Sequence, residues 1–367
     1  MITISLCMIV KNEEDTMEKC LSSAESIADE IVITDTGSSD RTKEIAARFT
    51  DKIYDFKWID DFSAARNFSF SKATMDYILW LDADDIILPE DAVKFRLLKE
   101  TLDPGVDAVM MRYNTGFDQQ GRVTFSYYRA RLTKRSRVFQ WQEPVHEYLQ
   151  VGGKVINSDI GITHTKQHKE PSSRNLKIYE SFLADGKELS PRGMYYCARE
   201  FKDNGRFQDA IRMFHQFLES GLGWLEDNIT ACGELAKSYQ AEKNDKKALA
   251  AMLHSFTFDT PRAELCCQIG YHFKAQGSYR QAAFWFDLAL RLEKPQNSWG
   301  FHQEDCWGYI PSIECAVCYD HLGDYEKAER YNNMASVYKP DSPSVEHNKK
   351  YFESRRKTQS TIVSEGG

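Results

Sequence analysis

The chain of 367 residues has no apolar run that approaches the roughly 20 residues needed to cross a bilayer. Its apolar beginning, MITISLCMIV, lacks a basic segment, and KNEED follows it instead of a small-residue cleavage site. We therefore do not expect a signal peptide. Without a membrane span or a signal, the protein is expected to reside in the cytoplasm.

The sequence has no excess of positive charge and few closely spaced cysteines. The net charge of −8 argues against a nucleic-acid binder, because duplex binding depends on dense Lys and Arg. The nine cysteines are scattered, and an odd number gives no complete disulfide framework. Cys315 and Cys318 have CxxC spacing but lie inside a helical pattern with no second pair nearby, so we do not expect zinc there.

Residues 1 to about 115 alternate short apolar runs with amphipathic segments. Five strands are predicted: ISLCMIV, EIVITD, DKIYDF, DYILWLD and DAVMMRYN. Helices are predicted between them: EEDTMEKCLSSAESI, GSSDRTKEIAARF and PEDAVKFRLLKE. This alternation implies a mostly parallel sheet with helices on both faces, in which ligands bind beyond the carboxyl ends of the strands. Lys11, Asn12, Asp35 and Asp82 stand at that end.

A mixed region of strands and loops, from Arg122 to about Lys166, completes a first domain, which we predict to span residues 1–168. The chain then becomes helical. In this helical half, a motif with Gly, an aromatic residue two positions on and Ala five positions on recurs. It begins at Gly205, Gly277 and Gly323, with a degenerate copy at Lys243.

These motif starts are separated by 38, 34 and 46 residues. The pattern resembles the tetratricopeptide repeat, a helix pair of about 34 residues. Such repeats stack into a curved surface for peptides or partner subunits. We predict a helical repeat domain over residues 169–350 and a disordered tail over 351–367, because the tail is polar. A homodimer through the helical half is also expected, because terminal repeats expose an apolar face unless capped.

The segment YILWLDADD crowds three carboxylates at the exit of a buried strand. Like charges repel one another unless water or a cation neutralises them. A D-x-D step can present two carboxylates to one hard cation that also binds phosphate oxygens. An exposed acidic turn is the alternative, with Asp85 capping the helix that begins near Pro89. A calcium loop is excluded because its Gly and distal Glu are missing.

Four segments, SLCMIVKNEE, IVITDTGSSDRT, FSAARNFSF and YILWLDADD, occur in this order. Together they closely resemble the nucleotide-sugar domain of family 2 glycosyltransferases, over roughly residues 2 to 165. The resemblance implies an α/β GT-A fold followed by an all-α tetratricopeptide-like domain. A C-terminal repeat domain looks like that of the subgroup that glycosylates cysteine or serine of antimicrobial peptides, the glycosylated bacteriocins.

The same resemblance implies roles on the donor side. Ile9 and Lys11 line the uracil pocket, and Asp35 binds the uracil or ribose. Arg66 approaches the nucleotide, and Asp82 contacts the ribose or a metal-bound water. The alternatives are a helix cap for Asp35 and a surface salt bridge for Arg66.

For the metal and the acceptor, the resemblance implies further residues. Asp84 would ligate Mn²⁺ or Mg²⁺ held by the diphosphate, and His164 in GITHTK would be a second ligand unless it is a packed histidine. In WQEPVHEYL, Glu147 is predicted as the base and His146 as a helper near the acceptor or phosphates. The sequence lacks the Q-x-x-R-W motif of many family members, so the base stays open and Glu143 is the next choice.

The function these features favour is an inverting transfer of a hexose from a UDP-sugar to Cys or Ser/Thr of a peptide or protein. The helical repeats would dock part of that acceptor. An acceptor in cell-surface polysaccharide or lipid-linked sugar is the competing enzyme hypothesis. A non-catalytic repeat scaffold with a nucleotide-sensing domain is the hypothesis from another class, although intact Asp35, Arg66, Asp82 and Asp84 argue against it.

Overall fold

A computed structural model describes residues 1–118, 120–165, 173–295 and 302–365. The chain divides into two compact units, the first ending at Asn204 and the second beginning at Gly205. The predicted boundary at 168/169 lies outside the described residues. The observed division follows Asn204, later in the chain than predicted, because residues 173–204 pack with the α/β part of the first unit. The Tyr179 hydroxyl, for example, donates to the Val145 carbonyl oxygen at 3.3 Å.

The first unit contains a sheet with strand order β3-β2-β1-β4-β7-β6-β10-β5 among its described residues. Its strands, with the separate hairpin β8–β9, are β1 Ile4–Val10, β2 Glu30–Asp35, β3 Ile53–Asp55, β4 Tyr77–Trp80, β5 Asp85–Ile86, β6 Ala108–Phe117, β7 Val123–Lys134, β8 Trp141–Gln142, β9 Tyr148–Leu149 and β10 Val155–His164. Its helices are α1 Met17–Ala24, α2 Thr42–Ala46, α3 Phe62–Ser71, α4 Pro89–Thr101, α5 Arg174–Ala184 and α6 Pro191–Asp203. All five predicted strands and all three predicted helices are present.

Strand β1 lies at the centre of the parallel part, between β2 and β4. Its last residue, Val10, pairs with Asp35, and Cys7 pairs with Trp80. The carboxyl ends of three strands therefore meet at one edge, as the alternating pattern predicts. Beyond β4 the sheet becomes mixed, because β7 runs antiparallel to both β4 and β6.

Helix α3 is absent from the sequence-based prediction, although it carries Arg66. The Asp61 carboxylate caps it by accepting from the Ala64 backbone N–H at 2.9 Å. An Asp at this position satisfies one of the free N–H groups of the first turn. The cap therefore fixes where the helix begins and, with it, the direction in which Arg66 leaves the backbone.

The second unit is helical: α7 Phe207–Ser220, α8 Leu225–Ala241, α9 Asp245–His254, α10 Ala263–Ala275, α11 Tyr279–Arg291, α12 Tyr309–His321, α13 Tyr325–Tyr338 and α14 Pro343–Glu365, with the short strand β11 His302–Gln303. The four repeat motifs lead into α7, α9, α11 and α13. Their alanines are fully buried: Ala210, Ala248, Ala282 and Ala328. The predicted fold class, an α/β domain followed by helical repeats, is confirmed.

The motif glycines have a conformational role. Gly205, Gly277 and Gly323 have φ values of 75°, 70° and 78°, in the left-handed region where a Cβ is unfavourable. In the degenerate copy, Lys243 adopts the same conformation with φ 56°. The turn before each of these helices therefore has one backbone shape, and three of the four copies use the residue best suited to it.

All nine cysteines are buried and free. Five of them belong to one apolar cluster in the helical unit: Cys266, Cys267, Cys306, Cys315 and Cys318. Burial raises the pKa of the Cys266 thiol to about 12, and burial likewise raises that of Cys318 to about 12. These thiols behave as small apolar side chains of a packed core.

The predicted disordered tail is corrected, because α14 extends through Glu365. Phe352 is buried, and the Arg355 guanidinium lies 3.5 Å from the centroid of the Tyr325 ring. Arg356 also pairs with Glu329 at 2.9 Å. These contacts hold a polar segment whose composition alone indicates disorder. Among the described helices, none is long and apolar enough to span a membrane.

Candidate active site

The predicted donor residues lie at the common edge where β1 and β2 end. Asp35 is buried, and its Oδ2 accepts from the backbone N–H groups of Gly37 and Ser38, each at 3.0 Å. It is not a helix cap, because α2 begins only at Thr42. Ile9 is half-buried and Lys11 is exposed at the end of β1.

Two hydrogen bonds between Asp82 and Asp85 close the DADD turn. The Asp82 N–H donates to the Asp85 carboxylate at 3.1 Å, and the Asp85 N–H donates to the Asp82 carbonyl at 2.9 Å. Strand β5 then pairs antiparallel with the end of β10, which places His164 opposite Asp85. This long-range pairing brings a histidine from residue 164 to a turn near residue 84.

Asp84, Asp85 and His164 form a candidate metal site, with one ligand atom from each residue within 4.8 Å of the others. His164 Nδ1 lies 3.5 Å from Asp84 Oδ1 and 3.6 Å from Asp85 Oδ1. Asp85 Oδ1 is buried and has no hydrogen-bond partner among the residues that the structure describes. An orphaned carboxylate oxygen beside a second carboxylate and an imidazole fits the ligand preferences of Mn²⁺ or Mg²⁺.

The two carboxylates also act on the histidine. The nearby carboxylates, Asp84 first and Asp85 second, outweigh partial burial and raise the pKa of His164 from 6.5 to about 10. Tyr113 contributes a further contact, with its hydroxyl 3.2 Å from His164 Nδ1. His164 therefore lies within the acidic cluster, and its role as a metal ligand stays a prediction.

Asp85 does not cap the helix at Pro89, because Leu88 occupies the cap position of α4. Instead its carboxylate is fully buried and accepts from Arg131 Nη1 at 2.9 Å. Arg131 is fully buried too and lies 3.8 Å from the centroid of the Trp80 ring. Arg131 is not among the residues predicted from the sequence. The R-x-R alternation at 129 and 131 in a strand was the available signal.

Arg66 is buried between two indole rings, with its guanidinium carbon 4.8 Å from the centroid of Trp80 and 4.7 Å from that of Trp141. Its Nη2 donates to Asp82 Oδ1 at 2.7 Å, and its Nε donates to Glu147 Oε1 at 2.7 Å. It is thus not part of a surface salt bridge. Arg66 joins the DADD turn to the turn that carries Glu147.

Three arginines surround Asp82. Burial opposes its ionisation, but the charges of Arg66, Arg131 and Arg129 together hold the pKa of Asp82 well below its usual range. The Arg129 guanidinium carbon lies 4.6 Å from the centroid of the Trp80 ring. Within the described parts of the chain, we find no hydrogen bond or ion pair made by Arg129. Its charge is therefore available to an anionic ligand.

The turn at residues 143–147 has an unusual backbone, because Glu143 and His146 have φ values of 74° and 52°. The Glu143 carboxylate accepts from the hydroxyl of Ser190, the residue that caps α6. His146 Nε2 lies 2.6 Å from Glu200 Oε1. The three candidate acid–base residues of WQEPVHEYL thus have different partners, and only Glu147 contacts Arg66.

Comparison with known proteins supports the assignment of this unit. Residues 5–154 match the family model described as Glycosyl transferase family 2. The N-terminal domain belongs to glycosyl transferase family 2. The family 2 resemblance of the four ordered segments is therefore confirmed.

The full-length relatives are similar only in part. A TPR repeat-containing protein of Synechococcus elongatus is 37% identical over 147 residues, which cover 40% of this chain and 35% of that protein. The SPbeta prophage-derived glycosyltransferase SunS of Bacillus subtilis is 35% identical over 188 residues, 50% of this chain and 38% of that protein. The chain thus spans little more than a third of the length of these relatives.

Among solved structures, S. aureus TarS residues 1–349 in complex with UDP-GlcNAc aligns with a TM-score of 0.39 and 14% identity. The alignment covers 67% of this chain and 92% of that one.

Proposed function

We propose that this protein is a metal-dependent, inverting glycosyltransferase that moves a hexose from a UDP-sugar to a Cys or Ser/Thr side chain of a peptide or protein. The observation that carries the proposal is the convergence of Asp84, Asp85 and His164 at the carboxyl edge of a family 2 domain. Such a cluster suits a cation that binds a nucleoside diphosphate.

Asp84, Asp85 and His164 would hold Mn²⁺ or Mg²⁺, which supplies positive charge to the departing diphosphate. The proton on His164 neutralises part of the carboxylate charge in the structure described above. Metal binding requires a neutral imidazole and therefore releases this proton.

The remaining donor contacts come from the edge of the sheet. Ile9, Lys11 and Asp35 are proposed to receive the uridine, since they lie together where β1 and β2 end. Arg129 is proposed to pair with the phosphates, because its half-buried side chain makes no ion pair within the described residues and a guanidinium prefers planar, bidentate oxygen partners. Asp82 and Arg66 hold each other in place beside that position.

The acceptor side rests on the helical repeats and on the resemblance to transferases of antimicrobial peptides. Stacked helix pairs present an extended surface that suits a peptide. We propose that the repeats dock part of the acceptor and leave one side chain at the family 2 domain.

Thermal unfolding with UDP tests the donor and metal part. At one fixed concentration, UDP should stabilise the protein more with Mn²⁺ than without it, and UDP at about 100 times its dissociation constant adds roughly 2.7 kcal/mol. Asp84→Asn should abolish the metal-dependent part, because the amide lacks the charge that holds the cation. Asp51→Asn, at an exposed carboxylate, is the matched control and should retain it. A full Mn²⁺ effect in Asp84→Asn would refute the metal assignment.

Mass spectrometry tests the acceptor part. Pools of peptides that each carry one serine or one cysteine are incubated with UDP-glucose, UDP-galactose or UDP-N-acetylglucosamine and Mn²⁺. We expect the mass of one hexose or N-acetylhexosamine on a subset of peptides. Release of UDP without any modified peptide would instead favour a polysaccharide or lipid-linked acceptor.

A further inference from the structure

His146 is held by contacts on two sides of its ring. Its Nε2 lies 2.6 Å from Glu200 Oε1, and the same carboxylate oxygen accepts from Asn175 Nδ2 at 3.1 Å. The ring stacks on Tyr196, with centroids 4.4 Å apart and planes 17° from parallel. Glu200 is well buried, whereas 32% of the His146 side chain is exposed. A buried carboxylate thus orients an accessible imidazole.

The two ring nitrogens consequently have different roles. Because Glu200 is a carboxylate, the neutral ring donates from Nε2, and Nδ1 is left with a lone pair. We find no partner for Nδ1 among the described residues. An imidazole whose one nitrogen is bonded to a carboxylate and whose other nitrogen is free is the arrangement of an oriented general base.

Glu147 has the opposite environment. Its carboxylate accepts from Arg66 Nε at 2.7 Å, and only 11% of the side chain is exposed. A carboxylate bonded to a buried guanidinium is already engaged in a strong, charge-assisted hydrogen bond. Glu147 therefore suits the task of holding Arg66 against Asp82 better than the task of accepting a proton.

Hydrogen bonds connect the turn that carries His146 to the DADD turn. Glu147, the next residue after His146, accepts from Arg66 Nε, and Arg66 Nη2 donates to Asp82 Oδ1, each at 2.7 Å. Asp82 lies two positions before Asp84 of the metal cluster. His146 is therefore the chain neighbour of a residue that is linked to the proposed donor site.

We propose that His146 is the proton acceptor of the transfer reaction and that Glu200 is its positioning residue. The inference rests on the proposed function. The acceptor oxygen or sulfur forms a bond to the anomeric carbon while the bond from that carbon to the diphosphate oxygen breaks. UDP leaves with the electron pair, and the acceptor proton moves to His146 Nδ1. The left-handed backbone at His146 is the kind of strain that a packed functional site maintains.

The charged and titratable groups around His146 are few. Glu200 faces it from α6, and Arg192 donates to its carbonyl oxygen at 3.4 Å. Arg199 acts on Glu200, and the phenol of Tyr196 lies against the ring. The activity should fall as the solution becomes acidic, because a protonated imidazole cannot accept the acceptor proton.

The primary test is His146→Asn, because Asn tolerates a positive φ and cannot act as a base. With UDP-hexoses and single-serine peptides, kcat should fall by roughly 10²–10⁴-fold, and the KM for the donor should change little. The loss should be smaller on single-cysteine peptides, since a thiol of ordinary pKa near 8.5 is already partly ionised. Asp60→Asn, which introduces Asn at an exposed residue of the first unit that also has a positive φ, 57°, is the matched control and should leave kcat unchanged.

A second variant, Glu200→Gln, tests positioning. The amide oxygen can still accept from Asn175, so the fold is preserved, but the negative charge that favours the imidazolium is lost. We expect about a tenfold lower kcat and an acid limb of the pH–rate profile shifted to lower pH. A purely structural role for Glu200 would lower stability without moving this limb.

The outcomes are distinguishable. Wild-type kcat and pH profile in His146→Asn, with wild-type sugar transfer intact, would overturn the inference and leave the proposed function standing. A loss of the UDP and Mn²⁺ thermal shift in His146→Asn would also overturn it, because the residue would then serve donor binding. If the wild-type protein transfers sugar to no acceptor, both proposals fail together. Thermal unfolding of each variant separates these results from misfolding.

Discussion

The two units of the chain bury different kinds of side chain. In the first unit, Arg131 and Asp85 form an ion pair with no exposed surface, and Arg66 is buried between two indole rings. In the helical unit, a cluster of cysteines, alanines and Phe286 fills the centre. Buried charge is costly to desolvate, whereas small apolar side chains pack helices closely at little cost. The first unit thus holds charged side chains in fixed positions, whereas the helical unit packs helices against one another.

Breaking the buried ion pair should have the largest effect. Arg131→Met removes the buried partner that donates to Asp85, and breaking a buried pair typically costs about 3–5 kcal/mol of unfolding free energy. Urea denaturation at neutral pH measures the loss. Lys94→Met is the matched control, because its pair with Asp91 is partly exposed and should be worth at most about 1 kcal/mol. Equal losses in the two variants would contradict the special cost of burial at Arg131.

Acid should weaken the first unit by protonating a second buried carboxylate, Glu30. Burial opposes ionisation of Glu30, but hydrogen bonds from Lys52, Ser5 and Thr74 lower its pKa from 4.5 to about 2. A lowered folded-state pKa stabilises the protein above the unfolded value, and this contribution disappears as the pH falls from about 4.5 through 2. It amounts to about 3 kcal/mol at most. Urea unfolding at pH 7 and pH 3 should therefore show a weaker pH dependence in Glu30→Gln than in the wild-type protein.

Crowding the helical core should have an intermediate effect. A Cβ added at Gly270 of α10 would lie 2.7 Å from the ring of the fully buried Phe286. Gly270→Ala should therefore destabilise the protein by about 1–3 kcal/mol, as overpacking does. At Gly152, where a Cβ would meet nothing within 4 Å, the same substitution is the control and should be nearly neutral. A stable Gly270→Ala variant would mean that the helical core is more adaptable than its packing indicates.

The smallest effect is expected at the degenerate repeat. A side chain in the left-handed region costs roughly 1–2 kcal/mol, and glycine loses roughly 0.5–1 kcal/mol through backbone entropy. Lys243→Gly should therefore stabilise the protein by about 0.5–1 kcal/mol, whereas Gly277→Ala should destabilise it by a similar amount. Thermal unfolding of both variants checks the pair. Destabilisation by Lys243→Gly or stabilisation by Gly277→Ala would contradict the equivalence of the repeat turns.

Local patterns were sufficient to predict much of this structure. Strand and helix periodicity identified the elements around β1, β2 and β4, and the spacing of Gly, aromatic and Ala residues identified the repeats. The sequence also predicted the carboxylates of DADD, from their crowding at the exit of a buried strand, and His164, from the family resemblance, and the structure brings Asp84, Asp85 and His164 close together. These features depend on neighbours in the sequence or on a simple topological rule.

Residues whose role depends on distant partners were missed or assigned differently. Asp85 was considered a helix cap, and only the pairing of β5 with β10 and the contact with Arg131 reveal its place beside His164. Glu200 lies 54 positions from His146, and no local pattern relates them. The tail was considered disordered because packing of Phe352 is invisible in composition.

The burial of every cysteine has a consequence for self-modification. A transferase that glycosylates thiols would carry nine competing targets within its own chain. Here none of them is accessible, and burial raises the pKa of the Cys232 thiol, for example, to about 12, which suppresses the reactive thiolate. If the proposed function holds, the folded protein would not modify its own cysteines, and sugar found on them would mark molecules that had unfolded.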